Sequence, residues 1–230
     1  MKLVLTSAGI KNASIHNALV DLLGKPIAEC SALCIPAASY GHPEGGPGAA
    51  YRFISGQAST PMCELGWKSL GVLELTALPS IDREHWVPLV RETDALLAAG
   101  GDATYLSCWM QQSGLAGLLP SLRAVWVGVS GGSMMMTPRI GADFVSWSRA
   151  ESDETLGVVD FSIFPHVDNE RFPENSMACA EKWAAGMPGP SYAIDDQTAI
   201  KVTDGTVEVV SEGHWKFLTP SRPLMPADAP

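Results

Sequence analysis

A serine enclosed by glycines is the first feature of this sequence that suggests chemistry. Ser130 lies in the segment GVSGG, residues 128–132, directly after the apolar run 124–127. The pattern G-x-S-x-G is typical of a sharp turn between a strand and a helix, where a serine hydroxyl stands free and can act as a nucleophile. The same pattern occurs in glycine-rich turns without activity, so the five residues alone leave both interpretations open.

A nucleophilic serine needs a general base, and the chain offers five histidines. His16 and His85 fall within predicted helices and are expected at the surface. His42 lies in a loop rich in Gly and Pro, and His214 follows the last predicted strand. His166 ends the apolar segment VVDFSIFPH, and ligands of a parallel sheet bind at the carboxyl ends of its strands. The sequence therefore favours His166 as the base.

The third member of such a triad is an acid that holds the imidazole in one tautomer. Five acids lie between the candidate nucleophile and base: Asp143, Glu151, Asp153, Glu154 and Asp160. The cluster at 151–154 is typical of a solvated loop, and the side chain of Asp160 could point to either face of its strand. Asp143 stands beside a short apolar run and is expected to be partly buried. The residues favour Asp143 by a narrow margin.

A second glycine turn could help to stabilise an oxyanion. The segment LLAAGGDATYL predicts a buried strand, a turn at Gly100 and Gly101, and then a helix. Backbone amides at this turn could face Ser130 from a neighbouring strand, and the amide of Gly131 lies at the start of the helix after Ser130. An ordinary strand-to-helix loop is the plainer interpretation, and the two are compatible.

The elements that must position these residues follow an alternating pattern. Strands are predicted at 3–6, 32–36, 71–75, 95–99 and 125–128, and helices at 12–23, 80–92, 104–117 and from 130. The strands are continuous apolar runs, which is typical of parallel strands covered on both faces. The sequence therefore predicts one α/β domain with a doubly wound, mostly parallel sheet and helices on both faces.

The pattern changes in the last third of the chain. A strand is predicted at 156–164 and a helix at 174–185, and AIKVTDGTVEVV predicts a hairpin around Asp204-Gly205, expected at a sheet edge. The single domain is expected to span 1–218, followed by a loose tail at 219–230 that holds four prolines. The segment 40–48 is predicted to lack regular structure and could form a lid.

Composition narrows the function classes. The net charge of −10 argues against nucleic acid and against an anionic membrane surface as partners. The sequence has no apolar stretch of the roughly 18 residues that span a membrane, so a cytoplasmic protein is expected. The number of cysteines, five, is odd and their spacing matches no metal site, which favours reduced thiols, most of them buried, and no metal. A monomer or homodimer is expected.

Four segments together resemble a known family. AGGDATYL, GVSGGS, FSIFPHVDNERFPENS and YAIDDQTAIKVTDGTVEVVSEG occur in this order and resemble peptidase family S51, the group of dipeptidase E, with cyanophycinase as a more distant relative. The resemblance extends from the N-terminus to about residue 215. It implies a fold like that of class I glutamine amidotransferases, a small peptide substrate and no cofactor.

The resemblance also implies roles for individual residues. Ser130 corresponds to the nucleophile and His166 to the base, and Asp143 matches the spacing of the acid before the histidine. Gly101 and Gly131 correspond to the residues whose amides form the oxyanion hole. The function implied is a serine exopeptidase that hydrolyses short peptides through an acyl-enzyme. An esterase of the α/β-hydrolase type and a non-catalytic amidotransferase-like binding protein are the alternatives.

Three positions depart from the family pattern. Gly131 stands where the family usually has Ala, which is expected to loosen the turn. Asp102 stands where Asn is usual, and its carboxylate could bind the free amino group of a substrate. The family's arginine for an N-terminal Asp has no equivalent in ENSMACAEKWAAG, so Arg171 is the nearest candidate for substrate binding, and a preference for N-terminal Asp stays open.

Overall fold

The structure is a computed structural model that describes residues 1–219 of the 230-residue chain. Its ten strands are β1 (Lys2–Thr6), β2 (Ser31–Ile35), β3 (Ser69–Val72), β4 (Ala95–Ala98), β5 (Val125–Val129), β6 (Ser162–Phe164), β7 (Ser191–Ile194), β8 (Thr198–Thr203), β9 (Thr206–Ser211) and β10 (Trp215–Leu218). The helices are α1 (Ala13–Leu23), α2 (Ala38–Gly41), α3 (Pro47–Ile54), α4 (Arg83–Glu92), α5 (Ala103–Gln112), α6 (Gly131–Met134) and α7 (Met177–Ala185). Short 3₁₀ turns occur at Ile27–Glu29, Leu78–Ser80, Ala116–Ser121 and Ala142–Phe144.

The central sheet has seven strands in the order β3-β2-β4-β5-β1-β8-β9. The first five strands of the chain are parallel to one another, which confirms the predicted mostly parallel sheet. Neighbouring residues of one strand pack into different cores: Leu3 and Leu5 lie in one hydrophobic cluster and Val4 in the other. Both faces of the sheet are therefore covered, which explains why its strands are continuous apolar runs.

The predicted hairpin is present at the edge of this sheet. Strand β8 pairs antiparallel with β1 and with β9, and β9 is the last strand of the sheet. The turn residues Asp204 and Gly205 have φ values of 48° and 87°, as a type I′ turn requires. An Asp-Gly pair tolerates this left-handed backbone because glycine has no Cβ and Asp adopts it at low cost.

A second, three-stranded sheet was not predicted. It has the order β10-β7-β6, with β6 parallel to β7 and β10 antiparallel to it. The predicted strand 156–164 is wrong over most of its length, since only Ser162–Phe164 pairs as a strand, and it pairs in this smaller sheet. The main-chain N–H groups of Leu156 and Val158 instead donate to the carbonyls of Met135 and Met136.

The helices follow local signals, but several boundaries differ from the predicted ones: α5 ends at Gln112 and not at 117, and α7 begins at Met177 and not at 174. Asn12 caps α1 by accepting the N–H of Ile15 at 2.9 Å. The helix predicted from residue 80 begins only at Arg83, after a 3₁₀ turn. The segment 40–48, predicted to be irregular, includes the end of α2 and the start of α3, and Pro47 occupies the first turn of α3, where its missing N–H costs nothing.

Three expectations concern the chain as a whole. No helix among residues 1–219 has both the length and the apolar character needed to cross a bilayer. All five cysteines are free. The tail expected to be loose, 219–230, lies outside the described residues except for its first position.

Candidate active site

Ser130 occupies a strained turn between β5 and α6. Its φ of 47° and ψ of −113° lie in a region of backbone conformation that residues other than glycine seldom adopt. Such a conformation costs about 1–3 kcal/mol. The backbone N–H of Ser130 donates to the carbonyl of Thr6 at 3.0 Å, which fixes the turn against β1. Its hydroxyl forms no hydrogen bond within residues 1–219 and lines a cavity. This is the geometry expected of a nucleophile elbow.

The glycines around Ser130 let two backbones approach closely. A Cβ atom at Gly128 would overlap the carbonyl oxygen of Gly132, and a Cβ at Gly132 would overlap the carbonyl of Ala98 on β4. Only glycine allows α6 to fold back against the ends of β4 and β5 at this distance. The pattern G-x-S-x-G is therefore explained here by packing at the elbow.

Ser130 and His166 line the same cavity, which has a volume of about 1160 Å³. No hydrogen bond joins the two side chains, and such bonds are often long before a substrate binds. His166 follows β6 through Pro165, so it stands at the end of a strand of the smaller sheet and not of the central one. The imidazole packs against the ring of Phe172, with ring centres 4.8 Å apart.

His166 is held at both its backbone and its ring. Its φ of 57° is left-handed, and its backbone N–H donates to the Oγ of Ser7 at 2.7 Å. Its Nδ1 lies 2.7 Å from Oδ1 of Asp196. With Nδ1 paired to a carboxylate, the proton on that nitrogen is fixed and Nε2 is the atom available as a base.

The carboxylate partner of His166 is therefore Asp196, and the prediction that Asp143 fills this place is wrong. Asp196 follows β7 and also accepts hydrogen bonds from Ser7 and from the amide of Asn169. Burial raises the pKa of Asp196, but the hydrogen bond and electrostatic attraction of His166, with these two donors, outweigh burial and lower the pKa below its ordinary value. Asp196 therefore stays ionised beside the imidazole.

Asp143 lies elsewhere in the same cavity. It belongs to the 3₁₀ turn after Gly141, and it is exposed where partial burial was expected. Its carboxylate accepts no hydrogen bond from any residue of the described chain, and it is free to meet a ligand. The two aspartates differ in the elements that carry them. Asp143 lies on a turn that forms a wall of the cavity, whereas Asp196 follows β7, which pairs with β6, the strand that precedes His166.

The two glycines predicted to form the oxyanion hole lie against each other. Gly101 has a φ of 137°, and a Cβ at Gly131 would overlap its carbonyl oxygen and stand 3.2 Å from its nitrogen. The backbone N–H groups of Gly101 and Gly131 donate to no acceptor within the described residues. Gly101 lines the cavity with Ser130, and Gly131 follows Ser130 directly in the chain. Two unpaired amides next to the serine can stabilise a negatively charged oxygen.

Asp102 is not available to a substrate, contrary to the prediction. It is only 1% exposed and caps α5, where Oδ1 accepts the N–H of Tyr105 and the hydroxyl of Thr104. Its Oδ2 accepts the N–H and hydroxyl of Ser146 and the N–H of Trp147. Burial raises the pKa of Asp102, but the hydrogen bonds from Thr104, Tyr105 and Ser146 outweigh burial and lower the pKa. Asp102 ties α5 to the segment at 146–147.

Charged side chains of both signs line the cavity. Arg171, predicted to bind substrate, is one of them and is exposed. The others are cations and acids from several elements: Lys11, Arg52, Lys182, Glu44, Asp143, Glu174 and Asp196. The cavity can therefore meet a ligand that carries both an amine and a carboxylate. Lys182 lies on α7, inside the segment that lacks an arginine.

One group of side chains in the described part of the chain could hold a metal ion. Asp82, Glu84 and His85 bring three potential ligand atoms within 4.8 Å of one another, and all three are exposed. None of them lines the cavity that contains Ser130.

Three residues of the site were missed in the sequence: Ser7, Asn169 and Asp196. The sequence contains a signal for Asp196, because the apolar run SYAI predicts a strand just before it. Acids that follow strands are candidate site residues for the same reason as Ser130, which also follows a strand. Asp196 lies after His166 in the chain, whereas all five acids predicted as candidates lie before it. Ser7 and Asn169 carried no signal of their own, because only tertiary packing brings them to the ring.

The sequence matches the model of peptidase family S51 over residues 3–210. No curated protein matches the chain. A candidate peptidase E protein from Listeria monocytogenes EGD-e is similar in structure, with a TM-score of 0.67 and 18% identity over 92% of this chain and 98% of that one.

A peptidase from an acI-B1 Actinobacterium is similar to the same degree. Its TM-score is also 0.67, at 22% identity over 95% of this chain and 94% of that chain. Identities this low establish the shared fold and nothing finer. The fold predicted from the sequence is confirmed.

Proposed function

Since the chain belongs to peptidase family S51, we propose that it is a serine exopeptidase of the dipeptidase E type that hydrolyses short peptides. One observation carries this proposal. Ser130 stands on a left-handed elbow and lines the same cavity as His166, whose Nδ1 is engaged by Asp196. A serine, an imidazole with one nitrogen fixed and an ionised carboxylate are the parts of a serine triad.

In the proposed mechanism, Nε2 of His166 takes the proton of the Ser130 hydroxyl as Oγ attacks the scissile carbonyl carbon. The carbonyl oxygen becomes an oxyanion, stabilised by the N–H groups of Gly101 and Gly131. The C–N bond then breaks, and His166 gives its proton to the leaving amine. His166 then takes a proton from water as the water attacks the acyl-enzyme ester. The bond between the acyl carbon and Oγ of Ser130 breaks, His166 returns the proton to Oγ, and the acid product leaves.

We assign substrate charge recognition to the cavity walls. Arg171 and Lys182 line the cavity and can pair with a substrate carboxylate, either an N-terminal Asp side chain or the terminal carboxylate of a dipeptide. Asp143 and Glu174 can pair with the free amino group. A substrate with both charges close together is a short peptide, which is the reason for proposing an exopeptidase.

The test compares the parent with Ser130→Ala on a library of dipeptides varied at the first residue. The parent is expected to cleave a subset, and Ser130→Ala is expected to lose at least about 10³-fold in kcat, since a serine triad acts as a unit. Ser59→Ala is the matched control, because Ser59 also lines the cavity and is exposed.

A serine-directed phosphonate separates the alternatives. Labelling of the parent but not of Ser130→Ala supports the proposed nucleophile. Cleavage of p-nitrophenyl esters without cleavage of any dipeptide would indicate an esterase. An unlabelled parent that still binds peptides would indicate a binding protein, and the proposal would be abandoned.

A further inference from the structure

The hydroxyl of Ser7 contacts two residues of the candidate triad, His166 and Asp196, at three atoms. It follows β1 and is fully buried. Its Oγ accepts the backbone N–H of His166 at 2.7 Å, lies 3.1 Å from Oδ1 of Asp196 and lies 3.3 Å from Nδ1 of His166. One hydroxyl therefore contacts the main chain of the base, its ring and the carboxylate that orients the ring.

The donors and acceptors of this group allow one consistent arrangement. A serine hydroxyl has one hydrogen and two lone pairs. One lone pair accepts the His166 N–H. Nδ1 of His166 donates its proton to Asp196, so it cannot also accept, and the single hydrogen of Ser7 goes to Oδ1 of Asp196. The hydroxyl thereby bridges a peptide group and a carboxylate that are thirty residues apart in sequence.

The neighbouring residue of β1 shows that this hydroxyl is not needed to close the turn. The hydroxyl of Thr6 donates to the carbonyl of Gly128 at 2.7 Å and accepts the N–H of Gly9 at 2.8 Å. Thr6 therefore ties β1 to β5 and shapes the chain after the strand. All hydrogen bonds of the Ser7 hydroxyl within the described residues go to His166 and Asp196.

We infer that Ser7 is a positioning residue that holds His166 and Asp196 in the geometry needed for general-base catalysis. His166 has a left-handed φ of 57°, which its backbone adopts at a cost, and the bond from its N–H to Ser7 stabilises that conformation. The bond from Ser7 to Asp196 keeps the carboxylate turned toward Nδ1. This inference rests on the proposed function, because it assigns Ser7 to the same triad.

The kinetic test uses Ser7→Ala, which removes one oxygen from a buried site. We expect kcat to fall roughly 10- to 100-fold, as for loss of a hydrogen bond to a charged group, while KM changes by less than about 3-fold. Ser162→Ala is the matched control: Ser162 is 3% exposed and its hydroxyl bonds only a backbone carbonyl, that of Arg139. It is expected to keep the parent's kcat.

A double-mutant cycle distinguishes positioning from general destabilisation. If Ser7 acts through the His166–Asp196 pair, Ser7→Ala should have little further effect on kcat once Asp196 is replaced by Asn. If the loss of kcat in the double variant equals the product of the losses in the two single variants, the inference is overturned. Ser7→Cys keeps a weak S–H donor at the same place and should lie between Ala and the parent, and it serves in place of Ser7→Ala if that variant does not fold.

A measurement without substrate separates this inference from the proposed function. The Nδ1 proton of a histidine bound to a carboxylate gives a resolved downfield NMR signal. We expect this signal in the parent and in Ser162→Ala, and its broadening or loss in Ser7→Ala. An unchanged signal in Ser7→Ala overturns the positioning role. Failure of the parent to cleave any peptide, with the signal behaving as expected, removes the peptidase proposal and leaves the positioning role standing.

Discussion

The Nδ1 atom of His166 lies 2.7 Å from Oδ1 of Asp196, thirty residues further along the chain. The two residues follow β6 and β7, which are adjacent and parallel in the smaller sheet. The carboxyl ends of parallel neighbours lie at the same edge, so residues just beyond them can meet. The candidate triad thus has the chain order Ser, His, Asp, and its nucleophile and base stand on different sheets.

Replacing the acid tests this pairing. Asp196→Asn is expected to lower kcat about 10³- to 10⁴-fold, because the amide favours the wrong imidazole tautomer and cannot stabilise the imidazolium. Asp143→Asn is the comparison and should change kcat by less than about 3-fold, since Asp143 does not contact His166, whereas loss of its proposed pairing with the substrate amino group would raise KM. Steady-state kinetics on the best dipeptide provides the measurement. A larger loss in Asp143→Asn than in Asp196→Asn would reverse the assignment.

A methyl group at residue 131 tests the oxyanion hole. Although Ala is the usual family residue at this position, in this chain Gly131→Ala places a Cβ against the carbonyl of Gly101 and must push the two turns apart. Loss of one donor costs about 2.7–4 kcal/mol of transition-state stabilisation, so kcat should fall by about 10²-fold or more. Gly117→Ala is the control, because a Cβ there would meet no atom within 4 Å. Parent-like kcat in Gly131→Ala would show that the close contact is not needed.

Removing the charge of Asp102 tests its structural role. Asp102→Asn sets an NH₂ group against backbone donors, and we expect a loss of about 3–5 kcal/mol in the free energy of unfolding at pH 7. Ser146→Ala removes one of the five donors and should cost about 1–2 kcal/mol. Urea denaturation of both variants gives the comparison. Equal stability of Asp102→Asn and the parent would rule out this role.

The pH dependence of that loss has a definite sign. The folded pKa of Asp102 is lower than its ordinary value of 3.8, so the ionised carboxylate contributes stability above the unfolded pKa. This contribution disappears as the pH falls through the folded pKa. The stability difference between the parent and Asp102→Asn should therefore shrink below about pH 4. A difference that grows on acidification would contradict the assigned shift.

Charge in the substrate should be recognised at the cavity walls. Arg171→Ala and Lys182→Ala each remove a cation, and we expect KM to rise about 10-fold for the substrate whose carboxylate the side chain meets, with kcat little changed. Dipeptides with N-terminal Asp or Asn, with free or amidated C-termini, identify that carboxylate. Arg91→Ala is a control outside the cavity. Unchanged KM for all four substrates in both variants would remove these residues from recognition.

The sequence predicted the parts of this protein that local patterns specify. Continuous apolar runs give parallel strands covered on both faces, and the Asp-Gly pair gives the edge hairpin, because each depends on neighbours in the chain. Ser130 was readable for the same reason, since an elbow is a local structure. The strand at 156–164 was predicted too long, because a strand of three residues such as β6 is too short to show a recognisable hydrophobic pattern.

The roles of the aspartates were decided only by the tertiary structure. Asp102, Asp143 and Asp196 are alike in sequence, each beside an apolar run or a glycine turn. Folding buries the first under five hydrogen bonds, leaves the second exposed and sets the third against an imidazole. The sequence thus determines that a strained serine and a strand-end histidine exist. Which carboxylate meets the histidine depends on pairing between β6 and β7, a contact between segments that no local pattern encodes.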